Sequence, residues 1–410
     1  MKKSFILSCL LLSACSDVPL NQNADTLIQN YHDRQNTATT AQKDSYYYLL
    51  GIGASDEPLQ AGRVYSDELQ ALLKQNASED DILALNKRHP VHEIAIDEET
   101  NDDNTGLFCR YNSNSGQTAH ACFESVLTQK FDTAKYKTAH DRYHTFLKNP
   151  PAIMQGNYHL KMHVPYYEIT LKGQRLHFVH LLNTQNPDNV MQGLLDELSS
   201  LRAYLANANN LIEKNVYVNM IANQIQTIVL YHSHNPTIKP TLTPLTADEL
   251  SFKTAIIGEF MGAYYLFNRL QNDVDMTLLY KKNKSINDMA DTFTEQIQIG
   301  DLSAPEFATY YNNYEPKKRK IDPTNFIGKT LTDIGEQDYR SYIAKVKSLD
   351  NLITIANHHI NGTPLNNVFA PTLTGSVIEK THICLQNPVS NDRVATETKK
   401  RDEKFECLNL

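Results

Sequence analysis

Between residues 121 and 360 the apolar residues of this chain recur at spacings of three to five, and that period constrains the fold more than any other feature. Phe123, Val126, Leu127, Phe131, Tyr136, Tyr143, Phe146 and Leu147 open the pattern, which pauses at Pro150 and Pro151. Helical runs follow over about 174–184, 189–207 and 210–232. In the last, Ile212, Val216, Met220, Ile221, Ile225, Ile228 and Val229 line one side, with Asn215, Asn219, Asn223 and Gln226 on the other. That is an amphipathic helix lying on a core. A Pro- and Thr-rich connector, 232–245, leads to the capping box Thr246-Ala247-Asp248-Glu249. The helix that follows, to about Leu270, is apolar on nearly every side and should be central. Ser303-Ala304-Pro305-Glu306 repeats the capping box, and a last long helix is expected over about 336–360, stopped by Gly362 and Pro364. Upstream, ordered structure should open at 46–50, with short helices starting at Ser66 and Ser78. Two strands are expected at the C-terminus, 377–385 and 405–408. The fold class is therefore mainly α: antiparallel helical hairpins in one large helical unit over 45–365, with a small strand pair in 366–410.

The chain starts differently. Lys2 and Lys3 precede an apolar run of eight residues, Phe5 to Leu12, which is short of the ~20 a spanning helix needs and suits a secretory signal. The run ends in Leu12-Ser13-Ala14-Cys15, which resembles the lipobox of bacterial lipoproteins. The resemblance implies a signal peptide over 1–14, removal of that segment, and acylation of Cys15 as the first mature residue, with palmitate among its chains. Ser16 follows the cysteine where Asp marks inner-membrane retention in many Gram-negative lipoproteins. It therefore implies the outer membrane, periplasmic face, with surface display left open. Residues 16–44 are rich in Asn, Gln, Asp and Thr, so 15–44 reads as a polar, solvated tether with at most one weak helical turn at Leu27 and Ile28.

Composition narrows the partners. Lys plus Arg is 39 against 47 acids, a net of -8, so a nucleic-acid partner is not expected. Loss of Lys2 and Lys3 with the signal takes the net to -10, and an acidic body is not expected to lie flat on anionic head groups. Mean hydropathy is -0.46 and no long apolar run exists, which excludes a multi-span membrane protein. Four cysteines remain past the anchor in an oxidising space: Cys109, Cys122, Cys384 and Cys407. Of the three connectivities, local pairing, 109–122 and 384–407, closes the shortest loops. Neither pair has the short knuckle of a zinc site.

Candidate chemistry is thin. Gly328-Lys329-Thr330 looks like the end of a phosphate loop, but Pro323 stands where that motif needs Gly. His140 and His144 share a helix face without the Glu of a zinc-hydrolase motif. His159, His163, His177 and His180 fall within 22 residues around Glu168, a zinc-type ligand set set against ordinary solvated or core histidines. The acidic residues Asp97, Glu98, Glu99, Asp102 and Asp103 lack EF-hand spacing, and Lys317-Lys318-Arg319-Lys320 reads as a wet loop. Glu259 lies among Ile256, Phe260, Ala263 and Phe267, so its carboxylate is either buried with a partner or at a cavity wall. No catalytic residue and no cofactor is assigned.

The order of features resembles a group of uncharacterised proteobacterial envelope proteins. The shared pieces are Tyr47-Tyr48-Leu49-Leu50-Gly51-Ile52 with Gly62-Arg63, the Cys109/Cys122 pair before a helix, and Asn325-Phe326-Ile327-Gly328-Lys329 ahead of a helix holding Leu349-Asp350. That likeness implies one continuous helical unit and no particular activity. Two functions remain in view: a lipid-anchored, non-catalytic helical protein that docks another envelope component, and a periplasmic metal-dependent hydrolase built on the histidines.

Overall fold

A computed structural model describes residues 17–94, 96, 106–109, 116–159, 161–270, 280–315, 322, 324–335, 339–370, 376–378, 382–389 and 405–409. The signal segment, Cys15, the acidic residues at 97–103 and the basic run 317–320 lie outside them.

Gln22–Thr37 is a helix (α1), so the tether expected over 15–44 is corrected across its central part. Ala24, Leu27 and Tyr31, spaced three and four apart, bury one face of it. Asn21 caps it by accepting the Ala24 N–H at 2.9 Å. Thr40–Leu50 (α2) starts from a Thr39/Gln42 capping box and pairs with Pro58–Lys74 (α3). Glu79–Arg88 (α4) follows its own box at Ser78.

The helical run from 121 is two helices, Gly116–Thr128 (α5) and Lys137–Lys148 (α6). Asp132 interrupts it by taking the Ala134 N–H at 3.0 Å, a local bond that competes with the helix ladder. Tyr167–Thr184 (α7) packs on α6, and Pro187–Asn207 (α8) forms a hairpin with Leu211–His234 (α9).

The expected helix over 247–270 breaks at Ser251 into Ala247–Leu250 (α10) and Lys253–Leu270 (α11). The break frees the carbonyls of Glu249 and Ser251, which the Lys214 ammonium takes at 3.1 and 2.6 Å. The most enclosed helix is α9 rather than α11. Gln226, on its expected polar side, is buried, as are Gln224 and the residues from Ile225 to Tyr231. Lys282–Asp301 (α12) pairs with α11. Ala304–Asn312 (α13), Phe326–Gly335 (α14) and Arg340–Asn361 (α15) complete the helices, the last closed by Gly362 at φ 69°.

Residues 377–385 are not one strand. Ser376–Ile378 (β1) and His382–Gln386 (β2) pair antiparallel, and Phe405–Asn409 (β3) pairs with β2, giving sheet order β1-β2-β3. Cys384 lies directly opposite Cys407 in that register and is bonded to it; Cys109 is bonded to Cys122. The buried apolar cluster runs from Ala24 to Leu408, so the N-terminal helix and the C-terminal sheet share the core of the helical unit.

Candidate functional site

Helix packing brings together four histidines that the sequence holds as two separate pairs. His140 and His144 sit one turn apart on α6, His177 and His180 on α7. The His140 ring centroid lies 4.7 Å from that of His180, 6.0 Å from His177 and 6.2 Å from His144. His144 is 5.9 Å from His177. Three of these four ring pairs are stacked.

His177 is 8% exposed, and its Nδ1 and the Nε2 of His140 are buried without a hydrogen-bond partner. Burial, and next the neighbouring His140, pulls the His177 pKa down to about 3. His140 is lowered by burial and by His180, and His144 by burial and by Lys148. All three rings are therefore neutral at neutral pH. Among the described residues no three His, Cys, Asp or Glu side chains are arranged to hold a metal ion.

The set expected from sequence is divided. His159 and His163 lie in the segment before α7, away from the cluster. His159 Nε2 meets Arg269 at 3.0 Å, and burial with that cation lowers its pKa. His163 Nε2 faces the carbonyls of Asn86 and His89 at 3.1 and 2.9 Å. Glu168 pairs with Lys172 at 3.4 Å. The 22 residues span a loop and a helix, so closeness in sequence does not put the four rings on one face.

Behind the cluster runs a buried polar chain that no sequence motif announces. Tyr143, whose ring is 6.2 Å from His177, donates its hydroxyl proton to Glu197 Oε1 on α8. Gln224 Nε2 donates to Glu197 Oε2 at 3.0 Å and to Leu194 O at 2.8 Å, and Gln174 donates to Gln224 at 3.1 Å. Burial pushes the Glu197 carboxyl up to about 8. Its signal in the sequence was a glutamate at three- and four-residue spacing from Leu194 and Leu201, the same pattern that drew notice to Glu259.

Glu259 accepts the N–H of Leu211, at the start of α9, at 2.8 Å, and burial raises its pKa. Lys214 donates to the carbonyls of Leu205, Glu249 and Ser251. Burial pulls its pKa to about 7, opposed by the charge of Glu249. Arg142 donates to the carbonyls of Ile52, Ala54 and Asp56. Arg202 makes a two-pronged pair with Glu249, both bonds 2.7 Å.

A cleft of about 240 Å³ opens between α1 and the start of α11, lined in part by Tyr31, Arg34, Met154, Asn209, Lys253 and Gly258. Its volume is below that of ordinary small-molecule sites. Arg34 is occupied at its edge, donating to Asn209 Oδ1 at 2.9 Å and Asn207 O at 2.6 Å. Gly328 of the rejected phosphate motif is a packing glycine: a Cβ there would lie 1.9 Å from Ser285 Oγ on α12.

No protein-family model, curated protein or solved structure matches the chain. No helix among the described residues is long and apolar enough to cross a membrane.

Proposed function

We propose that this is a lipid-anchored, non-catalytic helical protein of the bacterial envelope, acylated at Cys15, which docks another envelope component. One observation carries the non-catalytic part. Strongly perturbed, buried ionisable groups are where catalytic residues are sought. In this chain Lys214, Arg142, Glu197 and Glu259 each spend their hydrogen bonds on backbone or side-chain ties between helices and loops. Such groups hold a frame, and none of the four lines the cleft between α1 and α11. The anchor rests on the lipobox, and the outer-membrane, periplasm-facing location rests on Ser16.

Labelled palmitate and photo-crosslinkers placed over the surface in intact cells test this reading. Wild-type protein should take the label and give one discrete protein adduct, and Cys15→Ala should lose both. A labelled protein with no adduct from any surface position would refute the docking role. An unlabelled wild-type protein would refute the anchor.

The unpartnered buried nitrogens of His140 and His177 favour a second reading, a metal-dependent hydrolase using His140, His144, His177 and His180 after ring rotation. Stoichiometric zinc in the purified protein, lost in His177→Ala and His140→Ala, would support it over the first. A metal-free protein with unchanged melting temperature in added zinc would end it.

A further inference from the structure

The loss of the tether has a geometric consequence at the other end of the anchor. Asp17 stands two residues after Cys15, so their Cα atoms are at most about 7 Å apart. Asp17 is already fastened to the body. Its carboxylate accepts the N–H groups of Asn283 and Lys284 at 2.7 and 3.2 Å, and so caps α12, whose own N-cap residue, Lys281, makes no side-chain cap bond. The next residues run along the same helix. Asn283 donates to Val18 O at 2.8 Å, Asn287 donates to Pro19 O at 2.9 Å, and Asp291 accepts from Asn21 and Asn23 at 2.9 and 2.8 Å. A coil of 29 residues would have let the body wander roughly 30 Å from its anchor. One intervening residue does not.

The surface at this helix end has the chemistry of a lipid contact. Among the described residues five large apolar side chains are exposed, and two of them are here. Val18, 42% exposed, has its carbonyl bonded to the first turn of α12. Phe326, 51% exposed, follows Asn325, whose Oδ1 accepts the Lys281 N–H at 2.7 Å. Lys281, Lys282 and Lys284 crowd the N-terminus of α12, the end where the helix dipole disfavours cations. Lys284 is neutralised by Asp288 and Asp322, both at 3.2 Å. Lys281 and Lys282 make no ion pair among the described residues, and the nearby Asp17 carboxylate bonds the amides of Asn283 and Lys284 rather than either ammonium. The net charge of -10 on the chain without its signal, 37 bases against 47 acids, does not govern this face, because screening confines each charge to about 8 Å at physiological ionic strength.

We propose that this end of the molecule is seated on the bilayer that holds the acyl chains. Val18 and Phe326 rest at the boundary of head groups and acyl chains, and Lys281 and Lys282 face anionic phospholipid head groups. The proposal rests on acylation of Cys15. It revises the expectation that the acidic body stands off from anionic lipid, and it fixes which surfaces remain open to a protein partner.

The chain has no Trp, so a single introduced Trp reports its own surroundings. The full acylated protein is reconstituted in phosphatidylethanolamine–phosphatidylglycerol vesicles with brominated acyl chains, as Phe326→Trp or as Leu83→Trp on α4. Phe326→Trp emission should be blue-shifted and quenched roughly twofold or more beyond that of Leu83→Trp. Adding Lys281→Glu and Lys282→Glu should shrink that difference. A Phe326→Trp protein that floats with the vesicles yet is quenched no more than Leu83→Trp overturns the seating and leaves the anchor standing. A wild-type protein that carries no palmitate and does not float overturns the anchor, and the seating with it.

Discussion

Glu197 and His177 both neighbour Tyr143, and burial shifts them in opposite directions. The Glu197 carboxyl is raised from 4.5 to about 8 in the folded protein, so its stabilising contribution is full below 4.5 and is lost as pH rises through 8. His177 is lowered from 6.5 to about 3, so its contribution is full above 6.5 and is lost as pH falls toward 3. Melting temperature should therefore peak on the mildly acidic side of neutral and fall on both limbs. Within its window each group changes stability by up to about 1.4 kcal/mol per pH unit. Glu197→Gln keeps the shape and removes the titrating carboxyl, so it should weaken the alkaline limb and uncover the rise due to His177 between pH 4.5 and 6.5, where the two contributions cancel in the wild type. His177→Asn should weaken the acid limb and uncover the fall due to Glu197 over the same interval. Thermal melts from pH 4 to 9 separate the two; an alkaline limb unchanged in Glu197→Gln would mean that Glu197 is ionised in the folded state. Glu213, Glu259 and Asp350 are also raised by burial, so their contributions are likewise lost as pH rises, with the same sign as that of Glu197.

Elements were legible where the chain itself marks their ends. The boxes at Thr246 and Ser303 form, the helix expected from Ser78 starts there, and Gly362 closes α15, whereas the helix expected from Ser66 already begins at Pro58. What escaped were features decided by a distant partner. The stripe Ala24, Leu27, Tyr31 is three apolar residues in polar surroundings, and only a core on the far side of the sequence makes a helix of it. The break between α10 and α11 is set by Lys214, some 37 residues before Ser251. The histidine cluster depends on which face of α6 meets α7, and periodicity gives faces without saying what they meet. The break yields a prediction of its own. Lys214→Met fits the apolar surroundings, including Phe252, whose ring centroid is 5.1 Å from the ammonium. It leaves the carbonyls of Leu205, Glu249 and Ser251 without their donor, at a cost on the order of 3 kcal/mol. Amide hydrogen exchange in α10 and the first turn of α11 should quicken beyond the change seen in α12. Uniform exchange across all three would show that Lys214 contributes packing rather than the joint.

At the scale of the whole molecule, the chain closes on itself from both ends. Residues 17–23 lie along α12, and β3 packs against α15 and α9. The C-terminal sheet is three short strands, too small to persist alone, and it is kept by that packing and by Cys384–Cys407. The bond closes a loop of 23 residues, worth about 3 kcal/mol in the chain-entropy account, slightly more than the 13-residue loop of Cys109–Cys122. Cys407→Ser should therefore lower the melting temperature by several degrees. It should also do more than destabilise, because β3 is the strand that joins the sheet to α9. Loss of its anchorage should expose the buried Cys384, together with Leu385 and Leu408, to solvent. The check is alkylation without reductant, on protein isolated from the oxidising compartment. Cys384 should react fast in native Cys407→Ser and not at all in the wild type, even when unfolded. Equal labelling of both proteins in denaturant would show that the bond does not form in cells, and that the sheet stands on its packing against α15 and α9 alone.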